Sequence, residues 1–148
     1  MMQLDFVNIG AAKSGTTTLH DILIQHPELC IPAEKDFHYF DNDVNYEKGS
    51  NWYKSYFDSC KDSGKRGEIA ATYLYSKAAA ARLANDVGSD LKIIALLRNP
   101  AHRAYSEYMH LKRSHVELDL NAYYNKHKTI DLQMPHYNEI IDRGFYAR

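Results

Sequence analysis

Residues 10–18 read GAAKSGTTT, and their position at a strand-to-helix junction constrains this chain more than anything else in it. Before them, residues 4–9 form a short apolar run, broken by Asp5 and Asn8, that ends at Gly10 and predicts a first strand. After them the pattern becomes helical from Thr16, with Leu19, Ile22 and Leu23 on one face, and Pro27 after His26 marks the end. A glycine loop feeding a helix leaves several backbone N–H groups without intrahelical partners. It also aims the positive end of the helix dipole at whatever lies in the loop, so the motif predicts an anion site.

The rest of the chain repeats the alternation. Residues 32–49 lack a stable period and predict a loop with a short extended piece at residues 38–40, and residues 51–57 predict a short helix. The polar stretch 61–67, KDSGKRG, predicts a surface connection. Ser76 is placed to cap an alanine-rich helix over residues 77–84, and KIIALL, residues 92–97, reads as a strand buried on both faces. Pro100 suits the first turn of a helix running to about Arg113, and a last helix is predicted over residues 133–143, before Gly144. Strands alternating with helices imply a parallel sheet, hence an α/β, P-loop-like three-layer fold with the sheet flanked by helices, in one domain over residues 1–148.

Composition excludes several alternatives. With 45% hydrophobic and 25% charged residues the chain is typical of globular proteins, and no stretch approaches the roughly 20 apolar residues that a membrane span requires. The start, MMQLDFVNIG, has no secretory pattern, so a cytoplasmic enzyme with no membrane partner is expected. A net charge of -1 supplies no global field for nucleic acid. Cys30 and Cys60 have no CxxC spacing and are expected to be reduced and structural; HExxH and GxSxG patterns are absent, and no metal is expected. The twelve tyrosines show no repeat and read as half-buried packing.

Compared with the nucleoside-triphosphatase pattern GxxxxGK[ST], the loop keeps both glycines but has Thr16 where the lysine belongs; its lysine, Lys13, lies inside the loop. Lys13, Ser14, Gly15, Thr16 and Thr17 thereby resemble the KxGTT phosphosulfate loop of sulfotransferases that use 3′-phosphoadenosine 5′-phosphosulfate (PAPS). A second stretch, LLRNPAHRAYSEY, resembles the same family's 3′-phosphate motif, RxPxxRxxSxY, with Arg98, Pro100, Arg103, Ser106 and Tyr108 in the specified positions. KDFHYFD (residues 35–41), NWYKSYF (51–57) and SEYMH (106–110) are similar to further family segments, and the resemblance is nearest to the heparan-sulfate type, its N-sulfotransferase domains in particular.

That resemblance implies transfer of a sulfuryl group from PAPS to a hydroxyl or amine of a small-molecule or glycan acceptor. Lys13 would stabilise the leaving phosphate, Ser14, Gly15, Thr16 and Thr17 would hold the 5′ group, and Arg98 with Ser106 would hold the 3′-phosphate. For the base, Asp36, standing where the family has a glutamate one methylene longer, and His110 are the candidates, with Glu68 and His38 behind them. Asp36 also reads as a partner of Lys35, and His110 as a packing or capping residue. Residues 67–73, GEIAATY, depart from the family's GEKSPxY form, losing the lysine and the proline. The family fold runs longer than GFYAR, so a C-terminally truncated member is expected. Rival readings are a non-catalytic PAPS- or nucleotide-binding relative and a P-loop kinase.

Overall fold

The structure, a computed structural model, describes residues 3–60 and 64–114. The helix expected over residues 133–143 lies outside them. The chain divides into two compact units, Met1–Leu97 and Arg98–Arg148. In the second, the description covers residues 98–114.

The first unit is built on a four-stranded parallel sheet in the order β2-β3-β1-β4. Strand β1 (Phe6–Asn8) leads through the glycine loop into helix α1 (Thr16–Leu23), which is followed by β2 (Leu29–Cys30). Helices α2 (Asp43–Glu47) and α3 (Gly49–Ser55) precede β3 (Lys65–Ile69), and α4 (Lys77–Asp86) precedes β4 (Lys92–Ile94). Ser76 caps α4 as expected, its Oγ accepting from the Ala79 N–H at 3.1 Å. The fold class is therefore α/β with a parallel sheet. Among the described residues no helix is long and apolar enough to cross a membrane.

Strand β1 is central, with Val7 opposite Glu68 on β3 and Ile93 on β4. Asp5 secures its entrance: its backbone bonds Arg66 and Lys92, and its carboxylate accepts from the Arg66 N–H and Lys65 Nζ, each at 2.9 Å. The core lies where Val7, Ala70, Ala79 and Leu83 meet an aromatic group containing Phe37, Tyr39, Phe40, Tyr53, Phe57 and Tyr73. Three of those tyrosines are thus core residues rather than half-buried ones.

Several elements differ from the sequence reading. Residues 61–67, expected as a surface connection, contain most of β3, an interior strand of the sheet. Its charged start and Gly67 disguise it, yet Gly67 is required: an added Cβ would sit 2.1 Å from the Phe6 ring, which crosses the strand there. Strand β4, shorter than KIIALL, pairs only with β1 among the described residues and is not buried on both faces: Ile93 on it is 61% exposed, and Leu97 beyond its end is 59% exposed. On α1 the inward position belongs to His20, whose Nε2 lies 2.9 Å from the Pro32 carbonyl, while Ile22 faces outward. Helix α2 lies within the stretch 32–49 expected as a loop, and Asn42 caps it, its Oδ1 accepting from the Asn45 N–H at 3.0 Å. Cys30 and Cys60, expected to be reduced, are joined in a disulfide with a Cα–Cα separation of 5.4 Å, tying β2 to the chain after α3.

Candidate active site

The glycine loop leaves the carboxyl end of β1, the point in the sheet where β3 lies on one side and β4 on the other. In parallel α/β sheets this is the crevice that receives ligands. Gly10, at φ 123°, packs so closely on the chain beyond β3 that an added Cβ would meet the Ala71 carbonyl oxygen at 2.5 Å. Asn8 is fully buried beneath the loop, and its Nδ2 donates to the Gly10 and Ile94 carbonyls at 3.4 and 3.2 Å. A polar residue interrupting the apolar run of the first strand was the sequence signal for this support.

Gly15 is the N-cap residue of α1 and has no side chain with which to cap the first-turn amides. Thr16 is buried in that first turn. Lys13 takes the left-handed backbone conformation at φ 65°. Ser14 Oγ is a buried polar atom without a hydrogen-bond partner among the described residues. An unpaired hydroxyl beside uncapped amides at a helix N-terminus is chemically fit for an oxyanion of phosphate.

Beyond β3, Ala71 joins the loop to a second group. Its carbonyl lies against Gly10, and its N–H donates to Asp36 Oδ1 at 2.7 Å. Lys35 Nζ bonds the other oxygen of Asp36, so both oxygens are engaged within the protein. The Asp36 N–H itself bonds the Ile69 carbonyl at 3.1 Å. Two residues on, the Nδ1 of His38 lies 3.2 and 3.3 Å from the two carboxylate oxygens of Asp41, and Thr72 Oγ donates to the same carboxylate. Asp36 and His38 both have positive φ, 58° and 53°, so the segment's irregular path is what presents these side chains.

The electrostatics follow from these contacts. The Asp41 hydrogen bond raises the pKa of His38 above its ordinary value, and burial only partly opposes it. Burial alone would raise that of Asp41, but the bonds from His38 and Thr72 overcome this and hold it below the ordinary carboxylate value. With Nδ1 donating to Asp41, the neutral imidazole keeps Nε2 as its proton acceptor. Asp41 and Thr72 were not singled out in the sequence; the three-residue spacing of His38 and Asp41 within KDFHYFD was the available signal.

Glu68 is placed away from this surface. Its carboxylate is fully buried, with Tyr53 Oη donating at 2.7 Å and Tyr73 Oη at 2.5 Å. Burial pushes its pKa up to about 7 against the pull of the Tyr73 and Tyr53 bonds.

In the second unit, helix α5 (Pro100–Ser114) begins as expected with Pro100 in its first turn. Asn99 caps it, its Oδ1 accepting from the Ala101 and His102 N–H groups at 3.0 and 3.3 Å. Arg98 is exposed just before the helix, Ser106 is part-buried on it, and His110 is exposed on its C-terminal half. Arg103 is buried, with Glu107 Oε2 3.6 Å from its guanidinium. The first unit thus brings together Lys13, Ser14 and Gly15 on the loop, Thr16 and Thr17 in the first turn of α1, and Asp36 with His38 near them through Ala71 and Thr72, while Arg98, Ser106 and His110 belong to the second. Among the described residues no group of three or more His, Cys, Asp or Glu side chains is arranged to hold a metal ion.

Comparison with known proteins shows the family of the chain. The family described as the sulfotransferase domain matches residues 3–143. Mouse bifunctional heparan sulfate N-deacetylase/N-sulfotransferase 4 is 40% identical over 118 residues, covering 76% of this chain and 13% of the relative. Mouse heparan sulfate glucosamine 3-O-sulfotransferase 5 is 32% identical over 100 residues, covering 68% of this chain and 28% of the relative. This chain therefore spans a minor part of those curated relatives. Among solved structures, a sulfotransferase from Alicyclobacillus acidocaldarius superposes with a TM-score of 0.81 at 30% identity, covering 99% of this chain and 66% of that one.

Proposed function

The chain belongs to the sulfotransferase domain family, and from that premise we propose that it transfers the sulfuryl group of PAPS to an amine or hydroxyl of a glucosamine-containing glycan. The observation that carries this reading is the meeting at Ala71: one face of that residue abuts the anion loop at Gly10, and its N–H holds Asp36, two residues from His38. A cradle for the donor's phosphate and a set of proton-accepting groups are thus supported from a single point.

The chemistry needs little beyond positioning and charge stabilisation. The acceptor nitrogen or oxygen attacks sulfur, the bond from sulfur to the 5′-phosphate oxygen breaks, and the acceptor proton passes to a base. The products are the sulfated acceptor and 3′-phosphoadenosine 5′-phosphate. Lys13, Ser14 and the amides of Gly15, Thr16 and Thr17 would take up the charge growing on the leaving phosphate, and Arg98 with Ser106 would hold the 3′-phosphate. His38, oriented by Asp41, suits the base better than Asp36, whose two oxygens are already engaged. His110 remains the base candidate of the second unit. The glycan acceptor is inferred from the relatives, whose names specify heparan sulfate and glucosamine.

The test is transfer of labelled sulfate from PAPS to a panel of de-sulfated glycans, phenols and amines, comparing the wild type with Lys13→Ala. Label in a glycan product that Lys13→Ala loses is the expected result. Nucleotide binding without label in any acceptor would favour a non-catalytic PAPS-binding relative, and magnesium-dependent consumption of ATP would favour a kinase.

A further inference from the structure

We propose that Glu68 is a positioning residue for the transfer site, its buried carboxylate locked between Tyr53 and Tyr73 so as to set the segment that carries Asp36, His38 and Asp41. This rests on the reading of that segment as the acceptor side of the site. A buried carboxylate is expensive in free energy compared with an apolar residue of similar volume, so its presence here calls for a compensating role.

The contacts indicate that role. Tyr73 Oη donates to Glu68 Oε1 and accepts from the Phe40 N–H at 3.4 Å. Phe40 lies between His38 and Asp41, and its fully buried ring meets those of Tyr53 and Tyr73 edge-on at 5.3 and 5.7 Å. At the other end of the segment, the Asp36 N–H bonds the carbonyl of Ile69, the residue next to Glu68. A chain of hydrogen bonds therefore runs from the carboxylate through a phenol to the backbone between the two members of the His38–Asp41 pair. The polar groups around Glu68 come from every neighbouring element. Tyr53 approaches from α3 and Tyr73 from the turn after β3. Asp36 and Asp41 face it from the segment itself and favour its neutral form. Its charge in turn favours protonated His38. Lys35 and Thr72 partly offset the two aspartates, and on β1 the neighbours Val7 and Asn8 are uncharged.

Two consequences separate positioning from simple filling of the core. Replacing the carboxylate by an amide removes the negative charge that Glu68 carries in part where His38 titrates, so the His38 midpoint falls. Removing the Tyr73 hydroxyl cuts the bridge to Phe40 while leaving the aromatic packing, so acceptor turnover falls and nucleotide affinity does not.

The experiment uses the full chain. The His38 ring is titrated by NMR in wild type and Glu68→Gln, with His38→Gln to assign the signal. Glu68→Gln should lower the midpoint by about half a pH unit. Tyr73→Phe should lower acceptor kcat about tenfold with the Kd for 3′-phosphoadenosine 5′-phosphate within about twofold of wild type. An unchanged His38 midpoint in Glu68→Gln overturns the proposal, as does wild-type kcat in Tyr73→Phe, and the latter variant decides the matter alone if Glu68→Gln does not fold. Because the titration needs no turnover, a shifted midpoint in a chain that transfers no sulfate would defeat the functional reading while leaving the coupling of Glu68 to His38 in place.

Discussion

His38 Nδ1 faces both oxygens of Asp41, at 3.2 and 3.3 Å, although neither residue lies in a helix that would dictate the pairing. Thr72, from the turn after β3, donates to the same carboxylate, so the pair is fixed from the sheet side. A His–Asp pair so held stores its proton-accepting capacity on Nε2.

The pair predicts the pH dependence of transfer. His38 must be neutral to accept a proton, and its pKa is raised above 6.5, so kcat/KM should climb with an acid limb centred above that value. Asp41→Asn removes the main cause of the shift and should move the limb to lower pH while cutting kcat by about 10²-fold. Asp36→Asn, by contrast, should retain the limb. A limb lost in Asp36→Asn and kept in His38→Gln would assign the base to Asp36.

Donor affinity should depend on Ser14 beyond what its exposure suggests. Its buried Oγ has no partner among the described residues, and a phosphate oxygen would supply one. Ser14→Ala should weaken 3′-phosphoadenosine 5′-phosphate by about tenfold, near 1.4 kcal/mol, in calorimetry. An affinity equal to wild type would show that the hydroxyl does not reach the anion.

Stability should fall as pH rises from about 4.5 toward 7. Glu68 binds its proton more tightly when folded, with a pKa near 7 against 4.5 unfolded, so over that interval the unfolded state holds fewer protons and gains relative to the native one. The full difference is about 3 kcal/mol and persists above pH 7. His38, also raised, adds a loss in the same direction at higher pH, whereas Asp41, lowered, contributes stability that disappears only on acidification through its folded pKa. Denaturant melts across pH 4.5–8 should show a flatter profile for Glu68→Gln; an identical profile would remove Glu68 as the source.

Gly67→Ala should destabilise the chain by about 3 kcal/mol or more, because the new methyl would overlap the Phe6 ring. The double variant with Phe6→Leu should recover part of that loss in a double-mutant cycle. Purely additive effects would mean that the ring is not what excludes the side chain.

The Cys30–Cys60 disulfide spans 30 residues, a loop whose closure in the unfolded chain corresponds to about 3–4 kcal/mol. Protein purified without reductant should show no titratable thiols, and reduction should lower its unfolding midpoint. Two free thiols in protein taken directly from cells would show that the bridge is not formed there.

The glycine loop was legible in the sequence because its cause is local. Glycine spacing, the lysine inside the loop and the onset of helical periodicity at Thr16 are all properties of adjacent residues, as are the Ser76 cap and Pro100 at the start of α5. The sequence thus determined the α/β alternation and the place of the glycine loop between β1 and α1. Tertiary structure decided what depends on partners distant in the chain. KRGEI became an interior strand because β1 supplies its hydrogen bonds and the Phe6 ring fills the space above Gly67. Only the KII of KIIALL became a strand, at the edge where the described sheet ends. Glu68 became a core group because Tyr53 and Tyr73, 15 and 5 residues away, bring it two hydroxyls. Asp36 and His38 reach the loop's neighbourhood only through Ala71 and Thr72, about 35 residues further on. Local propensity acts over a few residues, whereas burial and long-range hydrogen bonds act between segments whose meeting only the folded chain defines.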